Sequence, residues 1–266
     1  MTLNASGKLD VAVVNDNSSC FAALSVPCAQ HPAAASAHAA TGYKLPIKPL
    51  LTFLRKRITS STAEDAAFML QFSPVVLSVR GDTDNAHCCW TSSFAASPLQ
   101  YPIHAPLCDS PSTITGFSHD WLEALLLSAS ATLTKSVSEI VLHMEPQRGL
   151  TLALPGPART EISIPPFAFN RFTIAHVTGL VVPAREFLAV MSLARQISTL
   201  LSLHFSTGGE YGRTGCDWRC LLFRPLIATL PSLDGLECKF VLATLSLSQY
   251  AALQTVQPAQ PAQNPS

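Results

Sequence analysis

Two groups of cysteine and histidine residues have spacings that could hold a metal ion. Cys216 and Cys220 lie four residues apart, and His87 is followed directly by Cys88 and Cys89. On a strand, a rise of ~3.3 Å per residue separates the Cα atoms of Cys216 and Cys220 by about 13 Å. Two thiolates that must each lie near 2.3 Å from one zinc ion cannot span that distance, and adjacent strand residues point to opposite faces. The spacing therefore predicts no zinc site, and we expect no metal or other cofactor.

The glycine-rich segment 207–215 (TGGEYGRTG) is the part of the sequence that most resembles a phosphate-binding loop. Such a loop needs a strand before its glycines and a helix N-terminus after them, whereas strand-like sequence flanks this segment on both sides. The sequence also lacks the Gly-x-Ser-x-Gly and His-Glu-x-x-His motifs. We therefore expect a protein that is not an enzyme. A thiol- or zinc-dependent hydrolase on an unrelated α/β scaffold stays open as an alternative, which stoichiometric zinc in the purified protein would favour.

Basic side chains lie on one side of a predicted helix over residues 48–58 (KPLLTFLRKRI). At about 100° per residue, an apolar side is formed by Leu50, Leu51, Leu54 and Ile58. Lys48, Arg55 and Lys56 fall on the other side. The pattern predicts an amphipathic helix with one packed face and one cationic face.

A second helix is predicted over residues 184–197 (AREFLAVMSLARQI). The predicted buried side consists of Phe187, Val190, Met191 and Ala194. The other side consists of Arg185, Ala189, Ser192 and Gln196, with Arg195 at its flank. A helix face of small residues with a few cations can lie close to a phosphate backbone, although it is equally compatible with an ordinary solvated face.

The composition limits the classes of function. Apolar residues make up 48% of the 266 residues and charged residues 13%, which is about half the usual ~25% for soluble domains. Seventeen basic side chains balance seventeen acidic ones, so a protein that holds nucleic acid by net charge alone is excluded. The longest apolar runs are shorter than the ~18 residues of a membrane span, and we expect no membrane partner. The eight cysteines are scattered, which is typical of reduced thiols inside the cell.

A proline-rich segment divides the chain into two parts. Residues 97–112 (SPLQYPIHAPLCDSPS) contain four prolines in sixteen residues, which predicts an extended connector. We therefore predict an N-terminal domain over 1–96, the connector over 97–112, a C-terminal domain over 113–250 and a flexible tail over 251–266. Each part contains a helix followed by strands, which suggests an internal duplication. The strands are predicted over 66–72, 75–80, 87–94, 139–145, 150–154, 161–164, 172–176, 199–206, 216–223 and 238–246, and a third helix over 119–129.

The C-terminal part resembles a known family. Residues 185–207 (REFLAVMSLARQISTLLSLHFST), then RPLIATL and then LDGLECKFVLATLS are similar to the last quarter of the Rad-nine subunit of the nine-one-one DNA-damage checkpoint clamp, a PCNA-like sliding clamp. That family ends on a strand close to Phe-Val-Leu-Ala-Thr-Leu, which residues 240–245 match in order. A fainter, collinear resemblance extends upstream through residues 7–26, the helix at 48–57 and residues 112–130.

The resemblance implies an α+β fold of two sliding-clamp domains, with antiparallel sheets outside and helices inside. It implies a nuclear, non-enzymatic subunit that closes a ring around duplex DNA with two other clamp-like subunits. Its further partners would be a clamp loader and repair and checkpoint proteins. The DNA-facing residues would be Lys48, Arg55, Lys56, Arg185 and Arg195, and the connector residues at the partner groove would be Leu99, Tyr101, Ile103 and Leu107. A general replication clamp is the alternative within the same class.

The sequence departs from the family pattern at both ends. The chain begins inside the first domain, without the opening strand and helix that the family places before residues 7–26, so we expect an incomplete first domain. The long phosphorylatable tail of the family has no counterpart in residues 251–266, which contain a single serine. Recruitment of a checkpoint activator through that tail is therefore not expected.

Overall fold

The computed structural model describes residues 2–3, 8–15, 19–27, 43–58, 67–72, 75–83, 86–94, 97–98, 112–116, 138–154, 160–197, 200–206, 225–233 and 236–256. The chain divides into two compact units. The first consists of Met1–Val11 and Pro27–Ile103, and the second of Ala12–Val26 and His104–Ser266.

The described elements follow in chain order. The strands are β1 (Thr2–Leu3), β2 (Lys8–Val14), β3 (Cys20–Pro27), β4 (Tyr43–Lys44), β5 (Ala67–Phe72), β6 (Val75–Thr83), β7 (Ala86–Ser93), β8 (Ser97–Pro98), β9 (Ser112–Thr115), β10 (Glu139–Glu145), β11 (Gly149–Leu154), β12 (Thr160–Ile164), β13 (Arg171–Thr173), β14 (Thr178–Pro183), β15 (Ser202–Phe205), β16 (Leu226–Leu233), β17 (Leu236–Leu242) and β18 (Leu245–Ser246). The α-helices are α1 (Ile47–Ile58), α2 (Ala184–Gln196) and α3 (Leu247–Val256), and a 3₁₀ turn covers Pro166–Ala168.

The first unit contains a three-stranded antiparallel sheet in the order β5-β6-β7 and the helix α1. The short strands β4 and β8 form a separate antiparallel pair. The ring of Phe53 on α1 packs edge-on against the ring of Phe94, with centroids 6.1 Å apart. This aromatic contact holds α1 against the end of β7.

A five-stranded antiparallel sheet in the second unit has the order β12-β11-β10-β14-β18. Buried and half-buried residues alternate along β10, where Ile140, Leu142 and Met144 are buried. The turn between β10 and β11 ends at Gly149, whose φ of 95° is disfavoured for any residue with a Cβ. Among the described strands, β12 lies at the end of this sheet, with β11 as its single neighbour.

The other sheet of the second unit has its strands in the order β3-β17-β16-β15-β9-β13, all antiparallel. One of its faces carries Ile114, Leu203 and Ala228, which belong to the core of the unit. The strand β3 pairs with β17 through Cys238 and Leu24, although the two residues are more than two hundred positions apart in the chain. The sheet is therefore built from both ends of the sequence.

The core of the second unit lies between the two sheets and α2. The helix contributes five buried side chains to it: Ala184, Phe187, Val190, Met191 and Ala194. At about 25 cal/mol per Å² of apolar surface, burying a side chain of the size of Phe187 stabilises the fold by about 2–3 kcal/mol relative to leaving it exposed. This burial fixes which side of α2 faces away from the protein.

Most predicted elements coincide with described ones. The helices at 48–58 and 184–197 and the strand at 139–145 agree within a residue or two, and every described strand pair is antiparallel. The α+β fold class is confirmed. The strand at 226–233 is not among the predicted elements, and the predicted helix at 119–129 and strand at 216–223 lie outside the described residues.

The C-terminal segment differs from the prediction, because α3 continues to Val256 where a flexible tail was expected from residue 251. The backbone N–H of Gln249 donates to the Ser246 hydroxyl over 3.2 Å, and the N–H of Ser246 donates to the Gln249 side-chain oxygen over 3.0 Å. This reciprocal capping box satisfies two donors of the first turn of α3 and stabilises its start. None of the described helices has the length and apolar character needed to cross a bilayer.

Candidate nucleic-acid interface

The outward side of α2 is the best-described candidate surface. Arg185, Ala189 and Gln196 are exposed, and Ser192 is half-buried beside them. The predicted division of this helix into a packed side and an outward side is confirmed. Because the central outward positions are occupied by alanine and serine, a large ligand can approach the helix backbone closely there. A guanidinium at the first turn can then reach an anionic group on that ligand.

The second cation of α2 differs in its surroundings. Arg195 lies in the last turn of the helix, where a positive charge interacts favourably with the negative end of the helix dipole. Its side chain is half-buried and already takes part in an interaction within the protein. Of the two arginines, Arg185 is therefore the more available to an external anion.

The first turn of α2 is held in place by Asn15, the residue that follows β2. The Asn15 amide nitrogen donates to the Glu186 carboxylate over 3.0 Å and to the Ser19 hydroxyl over 2.8 Å. The Asn15 side-chain oxygen accepts from the backbone N–H of Cys20 over 2.9 Å. This network orients the helix end that carries Arg185. Burial, and after it the nearby Glu186 carboxylate, raises the pKa of the Cys20 thiol.

On α1 the cationic side is exposed, as predicted. Lys48 and Arg55 are both exposed, and about 100° per residue places them within about 20° of each other on the helix. Arg55 takes part in an interaction within the protein. Lys56 lies in the same helix, but its side chain is outside the described residues. This helix therefore presents at least two cations on one face of the first unit.

The apolar side of α1 is rotated from the predicted one. Leu51, predicted to lie on the packed side, is 40% exposed, and Ile47 is 42% exposed. Phe53 packs on Phe94 instead, and Leu50 is half-buried on the same side. The aromatic contact turns the helix so that Lys48 and Arg55 lie about 180° from the packed direction. In this orientation Lys48 and Arg55 point more directly toward solvent than the sequence pattern predicts.

The predicted partner groove lies outside the described residues, which include none of Leu99, Tyr101, Ile103 and Leu107. The side chains of four cysteines that were weighed as metal ligands also lie outside them: Cys88, Cys89, Cys216 and Cys220. Within the part of the chain that the structure describes, no three histidine, cysteine or acidic side chains converge in a metal-binding arrangement.

Sequence reasoning missed the strand edge at β12 as a candidate binding feature. The strand itself was predicted, but only the sheet order places it at the end of the five-stranded sheet. Its exposed residues Glu161 and Ser163 alternate with Ile162, which packs against the core. A strand that is paired on one side can accept another strand on the other side.

No protein-family profile matches this sequence, and no curated protein matches it. Solved structures do match in fold. A proliferating cellular nuclear antigen from Entamoeba histolytica is 14% identical with a TM-score of 0.61, over 90% of this chain and 86% of that one. PCNA from Thermococcus kodakaraensis is 12% identical with a TM-score of 0.61, over 90% and 87%. A chain of the PCNA2–PCNA3 complex from Sulfolobus tokodaii is 12% identical with a TM-score of 0.61, over 91% and 87%. The chain thus has the PCNA-like sliding-clamp fold, and the predicted two-domain clamp architecture is confirmed.

Proposed function

We propose that this protein is a subunit of a ring that encircles duplex DNA. The observation that carries the proposal is the extent of the fold match, which covers 86–87% of the length of three PCNA chains and not a single shared module. A likeness over nearly a whole subunit supports a shared way of assembling. The function proposed is that of a non-enzymatic scaffold.

The charge distribution supports a protein that stays on DNA because it encloses the duplex, and not because it binds the duplex tightly. The formal net charge of the chain is zero, so little affinity comes from electrostatics over the whole surface. Local cations are nevertheless present on the outward sides of two helices, at Lys48 and Arg55 on α1 and at Arg185 on α2. We assign these side chains, with Lys56 and Arg195, to weak phosphate contacts that leave the ring free to slide.

The strand β12, at the end of the five-stranded sheet, offers a way for subunits to assemble by strand pairing. In the proposed ring, β12 pairs with an edge strand of a neighbouring subunit and extends the sheet across the boundary. The alternation of Glu161, Ile162 and Ser163 suits a strand with one face on the core and one in solvent. An isolated subunit is then expected to behave poorly in solution, because β12 lacks the neighbouring subunit's strand.

We assign the ring to DNA-damage checkpoint signalling and repair in the nucleus, as the Rad-nine-like subunit of a heterotrimer. The segment that supports this finer assignment is Phe240–Leu245, which reads Phe-Val-Leu-Ala-Thr-Leu and spans the end of β17 and the start of β18. Its partners would be two further clamp-like subunits, a clamp loader, and repair and checkpoint proteins that dock at the connector. A general replication clamp is the second candidate, favoured by the match to the Entamoeba histolytica PCNA.

Co-expression with two clamp-like subunits from the same source tests the proposal. We expect a 1:1:1 complex by native mass spectrometry, and retention of that complex on closed circular DNA but not on the same DNA after linearisation. A stable homotrimer that is retained in the same way would assign the protein to replication instead. Absence of any ring with either composition, together with equal retention on linear and circular DNA, would overturn the clamp function.

A further inference from the structure

The short antiparallel pair of β4 and β8 in the first unit carries an exposed serine opposite an exposed lysine. Tyr43 is the register partner of Pro98, and Lys44 is the register partner of Ser97. We call these four residues the β4–β8 clasp. The side chains of Lys44 and Ser97 are both exposed. Directly opposed residues of an antiparallel pair point to the same face, with Cβ atoms about 4.5–5.5 Å apart, so the serine hydroxyl and the lysine side chain share one face of the clasp.

The clasp has few backbone contacts to hold it together. Each of its strands consists of two residues. Two-stranded pairs are marginally stable even when they are longer. Proline has no N–H, so at Pro98 the strand β8 can accept a hydrogen bond but cannot donate one. One added contact between side chains therefore changes the stability of the clasp appreciably.

Ser97 has the local sequence that a proline-directed protein kinase reads. Such a kinase selects a serine or threonine followed by proline, a residue with a fixed φ and no N–H to be satisfied. Proline also holds the residue before it in the extended region, which is the conformation of Ser97 in β8. Ser-Pro occurs three times in the sequence, at Ser73, Ser97 and Ser110, and Ser97 is the one that lies within the described residues.

The sequence around β4 is positively charged. The chain contains no aspartate or glutamate between Asp16 and Glu64. The helix α1 begins three residues after Lys44, and its first turn has no acidic side chain and carries the exposed Lys48. Three residues span at most about 10 Å, so the positive end of the helix dipole lies within about one Debye length of Lys44. An anion on the Ser97 side of the clasp is therefore electrostatically favoured.

We propose that Ser97 is a phosphorylation site for a proline-directed protein kinase, and that its phosphate binds the Lys44 ammonium and fastens β8 to β4. In the reaction, a bond forms between Ser97 Oγ and the γ-phosphorus of ATP. The bond from that phosphorus to the bridging oxygen breaks to release ADP, and the hydroxyl proton passes to the base of the kinase. The phosphate carries a charge of about −1.5 to −2 at neutral pH and accepts charge-assisted hydrogen bonds from the ammonium.

The modification acts at a defined place in the chain. Ser97 is the first residue of the connector predicted from the sequence over 97–112, and β4 is followed by α1. A phosphate on Ser97 therefore ties the start of that connector to the segment that precedes α1. An extended lysine side chain is longer than the separation of two opposed Cβ atoms, so the contact needs no rearrangement of the clasp. Neither the transfer nor the contact requires a ring, so both go beyond the proposed function and are independent of it.

The transfer step is tested on the full chain carrying Ser73→Ala and Ser110→Ala, which leaves Ser97 as the remaining serine before a proline. After incubation with ATP and a purified mitogen-activated protein kinase, mass spectrometry of the intact chain and its peptides should show one added phosphate, on Ser97. Ser97→Ala should abolish it. Pro98→Ala keeps the hydroxyl but removes the recognised neighbour, and should slow the transfer by about tenfold or more. No phosphate on Ser97, or an unchanged rate in Pro98→Ala, would overturn the site.

The contact with Lys44 is tested by ³¹P NMR and hydrogen exchange on the singly phosphorylated chain. A neighbouring ammonium stabilises the phosphate dianion, so the midpoint of its pH titration should lie about half a pH unit lower in the folded chain than in urea. Exchange of the clasp amides should slow by about threefold on phosphorylation. A phosphate that titrates alike in both states would show that no cation binds it and would overturn the contact.

Matched variants identify the cation. Lys44→Gln should abolish both the lower midpoint and the slower exchange, whereas Lys44→Arg keeps the charge and should preserve them. Arg148→Gln, which removes an exposed cation on the β10–β11 turn, should leave both unchanged. The proposed contact is wrong if Lys44→Gln behaves as Arg148→Gln does. Because each measurement uses the single chain without DNA, such a failure leaves the clamp function untouched.

Discussion

At the scale of single residues, the proposed DNA contacts depend on a few cations and not on a basic surface. Arg185 is exposed at the first turn of α2, and Lys48 and Arg55 share the outward side of α1. Exposed charges of this kind contribute at most about 1 kcal/mol each and are screened by salt beyond a Debye length of about 10 Å at 0.1 M. Contacts this weak suit a ring that slides, because none of them has to be broken at much cost.

Charge reversal at Arg185 tests this assignment. We expect Arg185→Glu in the assembled ring to shorten retention on circular DNA severalfold at low salt, and to have little effect at high salt, where screening removes the contact. The measurement is the dissociation rate at a series of salt concentrations. Arg148→Glu, which reverses another exposed cation on the β10–β11 turn, serves as the control and should change the rate much less. Identical rates for Arg185→Glu and the unmodified protein at every salt concentration would remove Arg185 from the interface.

The raised pKa of Cys20 gives a pH-dependent prediction. Burial raises it first and the Glu186 carboxylate second, so the folded state holds the thiol proton more tightly than the unfolded chain does. This contribution to stability is complete below the unfolded pKa and is lost as pH rises through the folded one. Glu186→Gln keeps an acceptor for Asn15 but removes the charge, and should lower the midpoint of the pH–rate profile for alkylation of Cys20. Cys238, whose pKa is raised by burial alone, is the internal control and should keep its midpoint.

Gly149 is the position where backbone geometry restricts the residue type most clearly. Its φ is 95°, and an added Cβ would overlap the backbone carbonyl oxygen of Ile164. We expect Gly149→Ala to lower the free energy of unfolding by about 2–3 kcal/mol, measured by denaturant titration. Gln147→Ala, an exposed change in the same turn, should alter it by less than about 0.5 kcal/mol. A near-neutral Gly149→Ala would mean that the turn can relax.

At the scale of elements, the local sequence pattern predicted α1, α2 and most of the described strands, whereas the remaining boundaries depend on long-range strand pairing. The spacing of apolar residues correctly predicted the bounds of α2 to within one residue, and it predicted which side of the helix is buried. The strand predicted at 172–176 ends at Thr173, and beyond it the N–H of Ala175 donates to the side-chain hydroxyl of Ser112 on β9 over 3.1 Å and not to a backbone carbonyl. The strand predicted at 238–246 ends at Leu242, and the chain then crosses to pair Leu245 with Val181 in the other sheet.

The start of α3 had a sequence signal that was overlooked, whereas the rotation of α1 had none. The start of α3 was readable in advance, since Ser246 and Gln249 have the spacing of a capping box. The rotation of α1 could not be predicted, because it depends on the contact between Phe53 and Phe94, which are 41 residues apart in the chain.

The docking of α3 on its sheet gives a prediction at this scale. A Cβ on Gly179 of β14 would overlap the Leu247 side chain at the start of the helix. Gly179→Ala should therefore loosen α3 and speed hydrogen exchange of its amides severalfold, with β10 and β11 unchanged. Leu247→Ala in the same chain removes the overlap and should restore much of the protection. Additive effects of the two changes would show that the contact does not couple the helix to the sheet.

At the scale of the whole molecule, the balance of seventeen basic and seventeen acidic side chains predicts poor DNA binding by the isolated chain. We expect a dissociation constant for linear duplex weaker than about 100 µM at physiological salt, the weak end of non-specific binding. Fluorescence anisotropy with a labelled duplex measures it. Submicromolar binding by the single chain would show that affinity, and not enclosure, holds the protein on DNA.

The pairing of β3 with β17 also determines when the second unit can be completed during synthesis. Leu24 leaves the ribosome early, but its partner Cys238 is made more than two hundred residues later. The edge of β3 that receives β17 must therefore wait until nearly the entire polypeptide has emerged, and closing so large a loop is slow. The nascent chain is for that interval a natural client for chaperones, and premature termination ahead of residue 236 would release a product in which this part of the sheet can never form.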